Sequence, residues 1–531
     1  MATSTYIGVS GGLFTTPGNW SLSGNPAAGS DIVITKNVTA DSFVNFTGAN
    51  SPLGINLGDT ASTQSNAWVL TGTAIATPPA TAWTIPSGGY VQNDGTPVYV
   101  GSGQYGELQI PLTFSNTLAK TGTGTTVFRS NASNTGTGTS GTTLDVQNGV
   151  AIFYNGTVPF GTAGSTVLLS GTNVALGQAT SAAPGSVNYA ISVTGTNAEL
   201  FNSFTGAMTW SGSIAVGASG FTVNMRNPLG AGSIGTLTLS GTVNVSTFGA
   251  TFTTGTAVAS NIVVSGIVSG SGPIIKSGAN GLTLSNANTF TGTITSSAGT
   301  LSVTNTNALQ DATFQPAAGT VTFTGNPVIG GLTGSGTFAS PTGATVTFGG
   351  VNVTKNNTFS GILNTASGVN QILAMNSATG LSVQTFSSAS ANRLASATNI
   401  TRGAFQITTT AGLYQVGPSG VTTVSSGGGL WISGNITPNF GPITINGTGS
   451  AGSVDGAIRN VSGNNTLSST VTLASSATVQ SDAGVLSVGP FTVGSASTLT
   501  LVTTGAAGIT LRGAATGTGT SKVLVPVGST V

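Results

Sequence analysis

The stretch Thr236-Leu-Thr-Leu-Ser-Gly-Thr-Val-Asn-Val-Ser246 places an apolar residue at every second position on both sides of a Ser-Gly pair. Strict alternation puts Leu and Val on one face of a strand and Thr, Asn and Ser on the other. Ser-Gly is a turn signal. The segment therefore predicts two short strands joined at a tight corner, each with one apolar face. Thr345-Val-Thr-Phe348 and Thr498-Leu-Thr-Leu501 carry the same pattern, and β-branched and aromatic side chains suit such a pleated surface. Asn-Gly, Thr-Gly and Gly-Gly punctuate the chain elsewhere. No stretch shows a convincing 3.6-residue period; Gln384–Arg402 comes nearest to a helix. The expected class is all-β.

Composition narrows the function. The 531 residues are 38% hydrophobic and only 4% charged, with a formal net charge of +1, no Cys and no His. An ordinary soluble domain is about 25% charged. A mean hydropathy of +0.29 is too apolar for a disordered chain, and no Gly-X-Y period suggests collagen. Without a basic cluster no nucleic-acid partner is expected. Without Cys there is no disulfide framework, thiolate nucleophile or zinc–cysteine site. Without His the commonest general base and transition-metal ligand are missing, and no cofactor is expected. Apolar runs such as Val150–Phe153 and Val167–Leu169 fall far short of the about 20 residues of a membrane-spanning helix. The opening Met1-Ala-Thr-Ser-Thr-Tyr-Ile-Gly-Val-Ser10 has neither a basic n-region nor an apolar h-region, so no signal peptide is read there. The composition nevertheless has an extracellular character.

Internal repeats select the architecture. One unit runs Lys276-Ser-Gly-Ala-Asn-Gly-Leu-Thr-Leu-Ser-Asn-Ala-Asn-Thr-Phe-Thr-Gly292 and on to Ala298-Gly-Thr-Leu-Ser-Val303. A second begins at Lys120 and reaches Gly141-Thr-Thr-Leu-Asp-Val146. A third, from Lys355, keeps Asn357-Thr-Phe-Ser-Gly361 and Ala378-Thr-Gly-Leu-Ser-Val383. A degenerate fourth holds Asn465-Thr-Leu-Ser-Ser469 and Ala483-Gly-Val-Leu-Ser-Val488. The repeat-defining positions are Lys120, Lys276, Phe290, Gly292, Lys355, Phe359 and Gly361. The Lys276–Val303 unit resembles the autotransporter-associated β-strand repeat of secreted passenger domains. That resemblance implies a right-handed parallel β-helix, a β-solenoid. The terminal Lys522-Val-Leu-Val-Pro-Val-Gly-Ser-Thr-Val531 does not read as that family's membrane-barrel end.

The first part differs. Residues 1–110 hold Trp20, Trp68 and Trp83, a group of Tyr, and several Pro. Gly18-Asn-Trp-Ser21, followed by Pro26 and Gly29-Ser-Asp-Ile-Val-Ile34, is similar to the opening of many repetitive surface and phage structural proteins. The expected organisation is an N-terminal β-rich cap, docking or β-sandwich domain over 1–110 and a β-solenoid over 111–531. A subdivision near 385–430 stays open. A solenoid needs a cap because its terminal turn otherwise leaves an unpaired strand edge.

Candidate chemistry is sparse. The ten acids are Asp31, Asp41, Asp59, Asp94, Glu107, Asp145, Glu199, Asp311, Asp455 and Asp482. A glycosidase needs two carboxyl groups about 5–10 Å apart, and no local pair stands out, so neither a catalytic nor a metal site is assigned. Trp68, Trp83, Tyr90, Tyr99 and Tyr105 are candidate glycan contacts, although such clusters more often fill a core. The expected function is a non-enzymatic structural surface protein, self-assembling as a virion appendage, decoration or fibre. The alternatives are a secreted adhesin or surface-layer protein of a bacterial cell surface, and a polysaccharide-degrading tailspike. The expected partners are further copies of the chain (a homo-oligomer), with a capsid or cell-surface glycans beside them.

Overall fold

Short amphipathic strands joined by glycine corners bury their apolar faces here by stacking turn upon turn. The computed structural model describes side chains between 117 and 528, apart from stretches such as 130–142, 155–164, 227–234 and 365–371; before 117 it describes strand backbones alone. Across 117–524 the chain winds as a β-solenoid of about 14 turns. The described residues contain no helix, and their strand pairings are parallel, each strand bonding to one a turn away. The chain divides into two compact units, Met1–Pro273 with Ser277–Thr283, and Ile274–Lys276 with Leu284–Val531.

In the first unit Leu118, Leu144, Val167, Ile191, Ile214, Val243 and Val268 lie in register on successive strands, each at most 1% exposed. In the second, Phe348, Met375, Ile400, Val424, Ile445, Leu473 and Val493 form the same kind of column. On the outer face hydroxyl meets hydroxyl one turn on: Thr143 Oγ1 lies 2.9 Å from Thr166 Oγ1, Ser186 Oγ 2.9 Å from Ser211 Oγ, and Ser433 Oγ 2.7 Å from Ser462 Oγ. Burying one Val, Leu or Ile is worth about 1.5–3 kcal/mol, against about 0.2–1 for a cross-strand polar pair. The inner columns therefore hold the stack, and the hydroxyls align it.

The Ser-Gly pairs mark close contact as well as turning. A Cβ on Gly212 would stand 1.8 Å from Tyr189 O, one on Gly241 2.2 Å from Gly212 O, and one on Gly266 1.8 Å from Gly241 O. These corners rest directly on the backbone of the turn below, and only glycine permits the approach.

Two inward-turning amides are held by several bonds each. Asn460 Nδ2 donates to Gly463 O, Ser481 Oγ and Ala483 O, each at 3.0 Å. Gln384–Arg402, the nearest approach to a helix in the sequence, overlaps the strand Val383–Phe386 and the start of the strand Ala397–Ile407. Gln384 is buried there, its Oε1 accepting from Leu332 N at 2.7 Å and its Nε2 donating to Leu332 O at 3.1 Å. Tertiary pairing overrides the weak local preference. Ala397–Ile407 pairs with Ile372–Asn376 and Val383–Phe386 on one side, and with Val421–Val424 and Gly428–Ser433 on the other.

The expectation of a cap or β-sandwich in 1–110 lies outside the described residues as far as side chains go. The strand backbones Thr3–Thr5, Asp31–Ile34, Gly54–Leu57 and Tyr90–Asn93 pair in parallel in that succession, and the last pairs with Thr117–Thr121.

The corner contact has a direct check. Gly212→Ala is expected to cost about 1–3 kcal/mol through overpacking, measured by urea unfolding. Gly508→Ala, whose Cβ would meet nothing closer than Val485 Cγ2 at 3.7 Å, is expected to stay within about 0.5 kcal/mol. Equal effects would refute the stacking role of the Ser-Gly corner.

Candidate functional site

The repeat-defining lysines are structural staples. Lys120 belongs to Thr117–Thr121 and occupies an inward position, in register with Val146. It is fully buried, and its Nζ donates at 2.9 Å to Thr121 O and to Asn148 O of the next turn. Lys276, also fully buried, donates from Nζ to Ala298 O at 3.0 Å. The two corners match. Gln147 N donates to Lys120 O at 3.0 Å and Ser297 N to Lys276 O at 2.9 Å, and each carbonyl seated on Nζ precedes a left-handed glycine, Gly149 (φ 67°) or Gly299 (φ 65°). That glycine begins the Gly-x-Leu-x-Val of the Lys276 unit; it stands 23 residues after Lys276, whereas Gly149 stands 29 after Lys120, so the two corners share a geometry and not a spacing.

Lys355 works differently. Half-buried, its Nζ donates to Thr291 O, inside the Phe290-Thr-Gly292 turn of the preceding copy. Phe290 and Phe359 are core residues. Gly292 O accepts from Thr313 N at 3.0 Å, and a Cβ on Gly361 would stand 1.9 Å from Gly336 O. Burial pulls the Lys276 ammonium down from its ordinary 10.5 to about 8. Burial also lowers Lys355, while the Asp311 carboxylate pulls the other way.

The richest outward cluster was not singled out from the sequence. Along Gly428–Ser433, Leu430 and Ile432 point inward and Trp431 takes the outward position. Gln406, Trp431, Arg459 and Gln480 follow one another in register. The Arg459 guanidinium lies over the indole, 4.8 Å from Cζ to the ring centroid. Its Nε donates to Asp482 Oδ2 at 2.7 Å, and Nη1 lies 3.5 Å from Asp455 Oδ2. Asp455 also accepts from Ser450 N at 2.9 Å and Ser450 Oγ at 2.6 Å, and Asp482 accepts from Gln480 Nε2 at 2.6 Å. The signal that could have found this group is a Trp and an Arg standing where the alternation elsewhere puts Thr or Ser. A smaller version occurs at Arg226, which grips Glu199 with two bonds of 2.8 and 2.7 Å and lies 4.2 Å above the Phe201 ring.

Chemically these groups act as clamps between turns. Arg459 engages both neighbouring carboxylates. Asp145 accepts from Ser170 Oγ and Gln147 Nε2, and Asp311 from the Asn352 backbone at 2.7 Å and side chain at 2.6 Å. Among the described residues, no three of His, Cys, Asp and Glu gather as a metal-ligand set. Asp31, Asp41, Asp59, Asp94 and Glu107 lie outside the described side chains. So do the candidate glycan contacts: Trp68, Trp83, Tyr90 and Tyr105 are placed by backbone alone, and Tyr99 is outside the described residues. Their strands fall in three sheets, Trp68 and Tyr105 sharing one, with Trp68 in register with Gly106. No family model, curated protein or solved structure matches the chain.

Two measurements test the clamps and staples. Arg459→Met is expected to cost about 1–3 kcal/mol, and a double-mutant cycle with Asp482→Asn to show a coupling of about 0.5–3 kcal/mol; strict additivity would rule the clamp out. For Lys276, folding favours the neutral amine, so between about pH 8 and 10.5 the unfolded chain holds more protons and stability rises with pH. The wild-type melting temperature should climb relative to Lys276→Met across that window. A flat difference would contradict the buried staple.

Proposed function

We propose that this chain is a non-enzymatic structural protein of an external assembly, a β-solenoid that packs against copies of itself. The observation that supports this reading is the outer face, where uncharged hydroxyls and amides bridge one turn to the next, as at Thr143–Thr166, Thr172–Thr196 and Asn173–Asn197. Soluble monomers commonly keep about 25–35% of their surface residues charged, which resists association. A chain with 4% charged residues has little such repulsion, and aligned hydroxyls offer donors and acceptors to an identical neighbour. The strength of the fold itself depends on backbone pairing and apolar columns that do not titrate, which suits exposure outside a cell. A virion appendage, decoration or fibre is the setting we favour.

Light scattering on the purified chain at moderate salt should report association. Thr172→Glu with Thr196→Glu, at exposed outward positions, should shift it toward monomer with the fold intact by circular dichroism. A wild type that stays monomeric would overturn self-association. Immunogold labelling should mark virions, and labelling of the producing cell's own surface would replace that setting.

A further inference from the structure

Three Asn-Gly pairs fall among the described residues: Asn148-Gly149, Asn280-Gly281 and Asn446-Gly447. Such a pair can cyclise, because glycine leaves the following backbone nitrogen unhindered. That nitrogen attacks the Asn Cγ and forms a five-membered succinimide. The Cγ–Nδ2 bond breaks, and the amide leaves as ammonia carrying the proton given up by the attacking nitrogen. Water then opens the ring at either carbonyl, giving aspartate or the β-linked isoaspartate. Asn is among the thermolabile residues for this reason.

The fold treats the three pairs differently. At Asn280, Nδ2 donates to Gly255 O at 2.7 Å and the attacking nitrogen, Gly281 N, donates to Asn261 Oδ1 at 2.8 Å. Nucleophile and leaving group are both held elsewhere. At Asn446, Nδ2 donates to Val424 O at 3.2 Å and Oδ1 accepts from Ser475 Oγ at 3.0 Å. Asn148 is exposed, and Gly149 N donates at 2.9 Å to the side-chain oxygen of Asn148 itself. The nitrogen that would attack already faces the carbonyl group it would attack.

The lysine staple adds a second effect. Lys120 Nζ donates at 2.9 Å to Asn148 O, the carbonyl of the very peptide unit whose nitrogen is the nucleophile. When that nitrogen loses its proton, the negative charge is shared with this oxygen, where a donated bond from Nζ stabilises it. We infer that Asn148 is a built-in deamidation site, with Lys120 activating the Gly149 nitrogen. The matching corner at Lys276 carries Ala298 before its glycine and has no amide to lose. Reaction at Asn148 replaces a neutral amide at this corner by a carboxylate. In the β-linked product it also lengthens the backbone by one carbon where Lys120 Nζ is seated and the strand Val150–Tyr154 begins.

Ageing the folded protein at mildly alkaline pH, with site-resolved peptide mass spectrometry and isoaspartate detection, tests this inference. Asn148 should deamidate several-fold ahead of Asn280 and Asn446. In urea the three rates should converge, because the local sequence is then all that remains. Lys120→Met should slow Asn148 several-fold, and Lys120→Arg should keep most of the wild-type rate. A rate at Asn148 no higher than at the other two, or an order that survives in urea, would overturn the site. An unchanged rate in a folded Lys120→Met would overturn the role of the lysine. If that variant does not fold, the comparison of folded with urea-treated wild type still decides whether the fold makes the site.

Discussion

Backbone N–H groups on one turn donate to carbonyls on the next, as along Leu118–Leu144–Val167–Ile191, and this parallel ladder sets the place of every side chain. It requires that each turn close at the same height as the one below, so the corners must repeat their geometry. Glycines at 212, 241 and 266 meet that demand by letting carbonyl and Cα approach where a Cβ would collide. Once the ladder is in register, inward residues form apolar columns and outward ones form hydroxyl ladders, without any further device.

Ionic groups are few, and several of those among the described residues reinforce the same ladder. Arg459 joins Trp431, Asp455 and Asp482 across consecutive turns, and Arg226 joins Glu199 to the turn above it. Lys120 and Lys276 turn inward and spend their donors on backbone carbonyls at corners. A buried ammonium is costly unless bonded, so these lysines commit their corners to one geometry. That commitment has a chemical consequence at Asn148, where the bond that seats the lysine also polarises a reactive peptide.

Much of this was legible beforehand. Alternation in Thr236–Ser246 is enough to call for strands with one apolar face, and the recurring Lys, aromatic-Thr-Gly and Gly-x-Leu-x-Val order is enough to call for stacked repeats. The faint helix-like character of Gln384–Arg402 gives way to strands, and short-range composition carries no trace of the bond from Gln384 to Leu332, 52 residues away. The Trp431–Arg459 cluster was missed for a related reason. Its members lie 28 residues apart in chain order and become neighbours only when the turn length between them is known.

The sequence by itself determined the all-β class, since period-two alternation and glycine turns call for short strands with one apolar face, and its internal repeats, through the family they resemble, pointed to a solenoid. It also identified Lys120, Lys276 and Lys355 as special, without saying why. Only the tertiary structure decided which residues meet. Turn lengths vary, with bonded outward pairs such as Ser302–Thr322 and Ser433–Ser462 standing 20 and 29 residues apart, so no fixed spacing predicts a contact. Register is a property of the whole ladder, set by the sum of backbone bonds and buried columns.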